Sequence, residues 1–261
     1  MPQRQLDYKA EAAKLLQAYE TPKEYEFITQ DDDCLCMLKQ ADKLAQRPES
    51  VLITGESGTG KELVARRLHG RRSGRFIALN LASIPDSMLQ AELFGHVKGS
   101  YSGAYSNRMG LLMAASKGTV FLDEIGEISP NLQVLLLRLV ETRKFRRMGE
   151  NEDSEFTGRF VFATNRIDSD FRNDLYHRIA TFRRHIKPLR QRMEDASLIL
   201  KDTMTQVEYE DLLKLINDNR KSCSKSYPKL LGVNVRELLR LAKQYKVLGP
   251  DGLDFRWEGT H

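Results

Sequence analysis

The sequence predicts an α/β fold in which helices flank a five-stranded parallel sheet and a helical lid subdomain follows on the C-terminal side. A glycine-rich segment, Gly55–Glu62, lies between a short apolar run at 51–53 and a helical pattern. Apolar runs then alternate with helical patterns as far as Pro188, and this alternation is typical of βαβ units with parallel strands. After Pro188 the pattern is helical, which favours a lid.

The expected strands are short, and the first four are apolar runs, as in a parallel sheet that is buried on both faces. They lie at residues 51–53, 76–79, 120–122, 160–163 and 181–186. A helix is predicted at Met37–Ala45, after a triplet of acids at Asp31–Asp33 that interrupts the helical spacing. Residues 4–20 also have roughly helical spacing, which predicts a short amphipathic extension.

The glycine-rich segment has the composition and placement of a phosphate-binding P-loop, Gly55-Glu56-Ser57-Gly58-Thr59-Gly60-Lys61-Glu62. Glycines let backbone N–H groups converge on phosphate oxygens, and the following helix N-terminus favours anions. We expect Lys61 to reach the terminal phosphates of ATP. Glu62 stands where a P-loop usually has a hydroxyl for Mg²⁺, so the metal must be held by a carboxylate elsewhere and by water. The alternative is a glycine-rich turn before a helix.

Two acids end the apolar run at 120–122, and they are candidates for that carboxylate. Ligands bind at the carboxyl ends of parallel strands, so Asp123 is placed to hold Mg²⁺ through water. Glu124 is placed to polarise a water for attack on the γ-phosphate of ATP. An acidic turn after a core strand is the alternative. The pairing with a P-loop favours ATP hydrolysis.

Composition agrees with a cytoplasmic globular protein of 261 residues, with 41% hydrophobic and 30% charged residues. No apolar run is long enough to span a bilayer, so no membrane partner is expected. Three cysteines do not suggest a disulfide framework. The net charge is +5, with basic clusters at 143–147 and 183–190. Such clusters contact nucleic acid in some proteins, but they also form solvated faces or line anion sites.

Several separated blocks, in order, resemble the AAA+ ATPase domain of bacterial sigma-54-dependent activators. These blocks are the P-loop (Walker A), residues 92–104, residues 118–127 (Walker B), residues 162–166 (sensor I), residues 171–178 with 188–190, and residues 234–238 (sensor II). The resemblance implies a P-loop AAA+ fold, with ATP and Mg²⁺ as cofactors. It divides the chain into an N-terminal helical extension at 1–25, an α/β nucleotide-binding subdomain at 26–188, a helical lid at 189–248 and a tail at 249–261.

The resemblance also assigns roles to polar residues near the expected catalytic centre. Asn80 would hold Glu124 away from the water until a partner signal arrives, and Asn165 would bond the γ-phosphate or its water. Arg172 and Arg178 are arginine-finger candidates, which implies a homo-oligomeric ring, expected as a hexamer. Arg236 would touch the nucleotide from the lid. Each has a plainer alternative, since the asparagines could cap turns and either arginine could pair with a nearby acid such as Asp174.

The loop Gly99-Ser100-Tyr101-Ser102-Gly103-Ala104 occupies the position of the family's GAFTGA loop. Its glycines allow a tight, mobile tip, and a projecting Tyr101 could bury its ring against a partner. In the family this tip grips sigma-54, so the expected partner is sigma-54 RNA polymerase. The substitutions at 100, 101 and 102 leave room for a different protein partner.

We expect no sensor domain before residue 30 and no DNA-binding domain after the lid. We therefore expect a motor that contacts DNA indirectly or through a separate protein. The leading hypothesis is a ring-forming ATPase that remodels sigma-54 RNA polymerase. The alternatives are the same motor acting on another protein, and a nucleotide-dependent interaction protein with low turnover.

Overall fold

The structure, a computed structural model, describes residues 26–101, 104–167, 170–192, 195, 198 and 199. The predicted N-terminal extension, the tail and Arg236 lie outside the described residues, as does most of the predicted lid. Within the described ranges, no helix has both the length and the apolar character needed to cross a membrane.

Five parallel strands form the central sheet, which confirms the predicted fold class. In chain order the strands of the structure are β1 (Val51–Thr54), β2 (Phe76–Asn80), β3 (Gly95–His96), β4 (Arg108–Met109), β5 (Thr119–Asp123), β6 (Lys144–Phe145), β7 (Ser154–Glu155), β8 (Arg159–Thr164) and β9 (Phe182–His185). The main sheet has the order β2-β5-β8-β1-β9. All of its pairings are parallel, and Asn80 is in register with Asp123.

Six α-helices accompany the strands within the described residues. They are α1 (Asp32–Ala45), α2 (Lys61–His69), α3 (Asp86–Phe94), α4 (Leu111–Ala115), α5 (Pro130–Thr142) and α6 (Asn173–Ile179), with 3₁₀ turns at Leu81–Ser83, Ile125–Glu127 and Leu189–Gln191. The core fills with apolar side chains of these helices and of the sheet. Leu52, Leu122, Phe162 and Leu175 in it are fully buried.

Helix α1 begins five residues before the predicted helix start at Met37. The acidic triplet opens the helix and does not interrupt it. The Cys34 backbone N–H donates to Asp31 Oδ1 at 2.9 Å, so Asp31 caps the first turn. Asp32 and Asp33 then lie in that turn, where the helix dipole favours negative charge.

Two small antiparallel hairpins, β3–β4 and β6–β7, were absent from the sequence prediction. Strands of two residues are too short to show an alternating pattern. The hairpins meet because Val97 N–H donates to Met148 O and Met148 N–H donates to Gly95 O, both at 3.0 Å. The segment between β3 and β4 contains residues 99–104, the loop predicted to bind a partner and called the partner loop below. The base of this loop therefore packs on the turn between β6 and β7.

The chain divides into two compact units. Among the described residues, the first unit comprises 38–55 and 61–185, and therefore holds the whole central sheet. The second unit comprises 26–37, 56–60 and the described residues from 186 onward. Its centre is the buried ion pair of Arg192 and Asp195, with Nη1 to Oδ2 at 2.9 Å. Thr29 Oγ1 also donates to Asp195, at 2.6 Å.

Candidate active site

Lys61 is the first residue of α2 and lies at the carboxyl edge of the sheet, as the P-loop prediction requires. Its side chain is 5% exposed, and Nζ donates to Gly55 O at 3.1 Å. The loop before it uses positive φ at Gly58 (76°) and Gly60 (98°). Side chains rarely adopt these angles, so glycines allow the tight path that a phosphate cradle needs.

Glu124 lies directly beside this lysine. Its Oε1 is 3.6 Å from Lys61 Nζ, and its Oε2 accepts from the Asn165 backbone N–H at 3.2 Å. Glu124 itself has left-handed backbone (φ 55°, ψ 47°), which for a residue other than glycine costs roughly 1–2 kcal/mol. The two contacts from neighbouring elements offset this cost. They hold the carboxylate over the ends of β1, β5 and β8.

Gly126 explains how the turn after Glu124 can approach sensor I so closely. A Cβ at this position would lie 2.4 Å from Arg166 O and 3.0 Å from Thr164 Oγ1. The turn at Ile125–Glu127 therefore packs directly on the end of β8. The sequence analysis did not predict this contact, although Gly126 lies only two positions after Glu124.

Asp123 ends β5, and its Oδ1 accepts from the Glu124 backbone N–H at 3.0 Å. Burial raises the pKa of the Asp123 carboxyl above its ordinary value. The positive charge of Lys61 opposes this shift, while the negative charges of Glu124 and Glu62 reinforce it. Three carboxylates thus influence one another around a single lysine. A divalent cation would relieve that repulsion.

The donor set fits magnesium. The described residues contain no group of three or more His, Cys, Asp or Glu side chains able to cage a metal ion. Mg²⁺ is ordinarily bound by one or two carboxylates together with phosphate oxygens and water, so a complete protein cage is not required. Asp123 is the best placed carboxylate, and Glu62 and Glu124 are its acidic neighbours.

The two asparagines lie at the same edge of the sheet. Asn80 is exposed, and its Oδ1 accepts from Ala82 N–H at 3.0 Å, so here it caps the turn after β2. This is the plainer of the two predicted arrangements. Asn165 is exposed and contacts Glu124 through its backbone. Their expected roles with the water and the γ-phosphate stay predictions.

Both arginine-finger candidates are exposed and form ion pairs within the chain. Arg172 makes a bidentate pair with Asp174 at 3.0 and 2.6 Å. Arg178 Nε lies 3.0 Å from Glu141 Oε1, and the Arg178 side chain is 61% exposed. Exposed ion pairs of this kind contribute little to stability, so either arginine could leave its acid for a stronger anion. The finger role stays a prediction.

The partner loop is closed by local backbone bonds. Gly99, with φ of 83° and open space around it, donates its N–H to Ala104 O at 2.9 Å, and Ala104 N–H donates to Tyr101 O at 3.0 Å. Tyr101 is 43% exposed, because one edge of the ring packs on His96 with centroids 5.2 Å apart. Ser102 and Gly103 at the tip lie outside the described residues.

Sequence reasoning missed Tyr105, which directly follows the loop and is 87% exposed. A second aromatic six residues after the predicted start of the loop was the available signal. Ser100 N–H donates to Val97 O at 3.2 Å, so the start of the loop is also fixed to the residue that follows β3. The loop and the residue after it thus present two aromatic rings, one half-buried and one exposed.

The second unit contains its own contacts to P-loop residues, and these were also missed. Arg190 forms a bidentate ion pair with Glu56, with Nη1 to Oε2 at 2.6 Å. Arg192 Nη2 donates to Thr59 O at 2.9 Å. Arg190 was recognised as part of a basic cluster, whereas the pattern gave no sign that Arg192 would be buried.

Comparisons with known proteins identify the family of this chain and test its predicted fold. Residues 27–185, more than half of the chain, match the sigma-54 interaction domain family. The chain belongs to this family. The AAA+ fold predicted from the resemblance is confirmed, since a solved structure of NtrX from Brucella abortus in complex with ADP has a TM-score of 0.69. That structure is 24% identical in sequence and the match covers 87% of this chain and 53% of that one.

The chain is also similar to known transcriptional regulators of bacteria. The transcriptional regulatory protein GlrR of Escherichia coli K12 is 38% identical over 230 residues, which cover 83% of this chain and 51% of GlrR. The formate hydrogenlyase transcriptional activator FhlA of the same organism is 40% identical over 185 residues, 67% of this chain and 27% of FhlA. The chain therefore spans about half the length of these relatives or less. NtrX of Brucella abortus in complex with ATP is 27% identical, with a TM-score of 0.63, over 71% of this chain and 42% of that one.

Proposed function

We propose that this chain is a Mg²⁺-dependent ATPase that couples hydrolysis to the remodelling of sigma-54 RNA polymerase. The observation that carries the proposal is the position of Glu124. Its carboxylate is held between Lys61 Nζ and the Asn165 N–H, next to Asp123, at the carboxyl edge of the sheet. Membership of the sigma-54 interaction domain family supports the partner.

In the proposed reaction, water attacks the γ-phosphorus of ATP and the bond to the β,γ-bridging oxygen breaks. Glu124 accepts the proton of the attacking water. Lys61 orients the terminal phosphates and offsets their charge, for which it must exchange the Gly55 carbonyl for phosphate oxygens. Bound Mg²⁺, held by Asp123 and water, would supply further neutralisation of phosphate charge.

Catalysis also needs a positive charge from outside the active site, which we assign to Arg178 or Arg172 of a neighbouring subunit. The exposure of both arginines and the weakness of their pairs with Glu141 and Asp174 support this. A head-to-tail interface of this kind closes into a ring. Arg236, in the proposed lid at 189–248, would report the state of the nucleotide. DNA contact would come from another protein or another part of the assembly.

The proposal is tested by two measurements on the same preparation. Phosphate release should require Mg²⁺ and should stop on chelation or in Lys61→Ala. In the presence of an ADP–metal fluoride analogue, purified sigma-54 should co-elute with the parent protein and not with Lys61→Ala. Hydrolysis without sigma-54 capture would favour the same motor acting on a different partner. Capture without hydrolysis would favour a nucleotide-dependent interaction protein.

A further inference from the structure

Three arginines donate hydrogen bonds to one short backbone segment at the amino-terminal edge of the sheet, opposite the edge that holds Lys61 and Glu124. The segment 47–49 leads into β1, and its three consecutive carbonyls each accept a guanidinium N–H. The bonds are Arg72 Nη2 to Arg47 O at 2.6 Å, Arg143 Nη2 to Pro48 O at 3.2 Å, and Arg159 Nε to Glu49 O at 3.1 Å. Because the three acceptors are consecutive residues and the charge of Arg72 acts on both Arg143 and Arg159, we group these three side chains as the arginine cluster.

The arginine cluster concentrates positive charge in a poorly solvated place. Burial, together with the nearby charge of Arg72, lowers the pKa of Arg159 to about 10, and the charge of Glu49 opposes this shift. Burial also lowers the pKa of Arg143 and of Arg72, and in Arg143 the charge of Arg72 adds to the effect. Glu49 provides a carboxylate close to Arg159. Three positive charges thus face one negative charge.

Two donors of the arginine cluster are not used by the backbone segment. Arg159 is fully buried, and its Nε and Nη1 donate to backbone carbonyls, but its Nη2 has no acceptor among the described residues. The same holds for buried Nε of Arg72. Burying a donor without an acceptor costs about 1–3 kcal/mol, and the cost is higher when the group is charged. A purely structural clamp on residues 47–49 does not account for these two donors.

We propose that the arginine cluster is a second anion site, which binds a small phosphate-bearing anion of charge −2 or more, such as inorganic phosphate, pyrophosphate or the phosphates of a nucleotide. Guanidinium groups present planar pairs of donors that match phosphate oxygens. A doubly charged anion would balance the excess of positive charge. Arg72 and Arg143 are half-buried, so the site is open on one side.

This site is distinct from the proposed catalytic site. Segment 47–49 precedes β1 and Arg159 is the first residue of β8, whereas Lys61 and Glu124 follow β1 and β5. The four residues of β1 span roughly 13 Å between the two edges. The arginine cluster is also joined to α2, because Arg159 Nη1 donates to Leu68 O, near the end of that helix, at 3.1 Å.

The test uses Lys61→Ala as the background, so that binding at the P-loop does not obscure the second site. Calorimetric titration with pyrophosphate at constant ionic strength should show one binding event in this background. Adding Arg72→Gln should weaken it at least tenfold. Adding Arg71→Gln, the matched control on the neighbouring exposed arginine, removes the same charge and should leave the affinity within twofold.

Circular dichroism and thermal unfolding in chloride establish that each variant folds. If Arg72→Gln does not fold, Arg72→Lys retains the charge without the planar fork, and a threefold or greater loss of affinity is then expected. The proposal is overturned if the background shows no pyrophosphate binding, or if the substitution at Arg72 and the control at Arg71 behave alike. Binding of a DNA duplex without binding of pyrophosphate would also overturn it, in favour of a nucleic-acid contact. Since the P-loop is disabled throughout, none of these outcomes depends on the proposed ATPase.

Discussion

The carboxyl edge of the sheet and the partner loop are held in place by different means. At the edge, Lys61 and Glu124 are almost buried, and each contacts a neighbouring strand or loop. In the partner loop, the bonds join residues close in sequence, and the aromatic rings of Tyr101 and Tyr105 are half-exposed and exposed. Chemistry that depends on distances of a few tenths of an ångström suits the first arrangement, while a surface that meets and leaves a partner suits the second.

This difference implies that substitutions in the two regions should separate hydrolysis from partner binding. Edge substitutions should stop turnover and leave the loop intact. Loop substitutions should do the reverse. Lys61→Ala is the exception, because it removes nucleotide binding, on which both functions depend. Any other substitution that abolishes both would show that the two regions are coupled more tightly than their contacts indicate.

Glu124→Gln should have the largest effect. The amide cannot accept the proton of the attacking water, so turnover should fall by up to about 10⁴-fold. Nucleotide binding should persist, since Lys61 keeps its charge. Phosphate release and equilibrium binding of a fluorescent ATP analogue measure the two quantities. A rate near that of the parent protein would show that another group activates the water.

Arg178→Ala should slow hydrolysis on the order of 10³-fold without weakening ATP binding, because a finger acts on the transition state. Arg138→Ala is the matched control, since its side chain is equally 61% exposed and pairs with Asp153 at 3.9 Å. It should hydrolyse ATP at the parent rate. Mixing Arg178→Ala with Glu124→Gln subunits should recover some activity if the finger acts between subunits. A mixture that stays inactive, in rings shown to exchange subunits, would count against the shared site.

Tyr101→Ala should sharpen the comparison from the other side. Loss of an aromatic anchor at a binding hot spot costs about 2 kcal/mol, or roughly 30-fold in affinity for sigma-54. Hydrolysis should stay close to the parent rate, because Tyr101 contacts His96 and no residue of the active site described above. Tyr101→Phe keeps the ring and should bind within a few-fold of the parent. Full affinity in Tyr101→Ala would move the anchor elsewhere, with Tyr105→Ala as the next variant to measure.

Gly149→Ala tests whether the turn between β6 and β7 supports the loop. Gly149 has φ of 78°, and an added Cβ would lie 2.7 Å from Ser100 Cβ and 2.9 Å from Val97 Cγ2. The positive φ alone costs an alanine about 1 kcal/mol. We expect a lower melting temperature and weaker sigma-54 binding with retained ATPase. For the melting temperature, Gly99→Ala is the control, because its φ is also positive but open space surrounds it.

Asp123→Asn should have the smallest effect on stability. The sign of the change in melting temperature is informative, because it depends on the charge of the carboxylate. Burial raises the pKa of Asp123 in the folded protein, so the charged carboxylate destabilises the fold at neutral pH. Removing that charge should raise the melting temperature slightly above pH 6. The gain should shrink as pH falls through the raised folded pKa and vanish below about 4, the ordinary value for aspartate. Mg²⁺-dependent hydrolysis should be lost, and a stabilised variant with full activity would contradict the proposed metal site.

The five strands could be read from sequence to within two residues. Four of them are short apolar runs, whereas Phe182–His185 contains two arginines and a histidine. Lys61, Asp123 and Glu124 were predicted at one edge because parallel strands end together. The helix start at Asp32 was misjudged, because acids at a helix N-terminus and acids in a loop are identical in a pattern of apolar residues. The two hairpins were not predicted because a strand of two residues is too short to show an alternating pattern.

The sequence by itself determined which residue types stand after each strand, and hence the phosphate-binding loop, the two acids and the family. Tertiary structure decided which of those residues meet. Contacts between residues such as Glu124 and Asn165, or Arg159 and the carbonyls of segment 47–49, join positions 41 and about 110 residues apart. No local spacing encodes such contacts, since they follow from the order of strands in the sheet and from the burial of charge. The exposure of Tyr105 and the burial of Arg159 have the same origin.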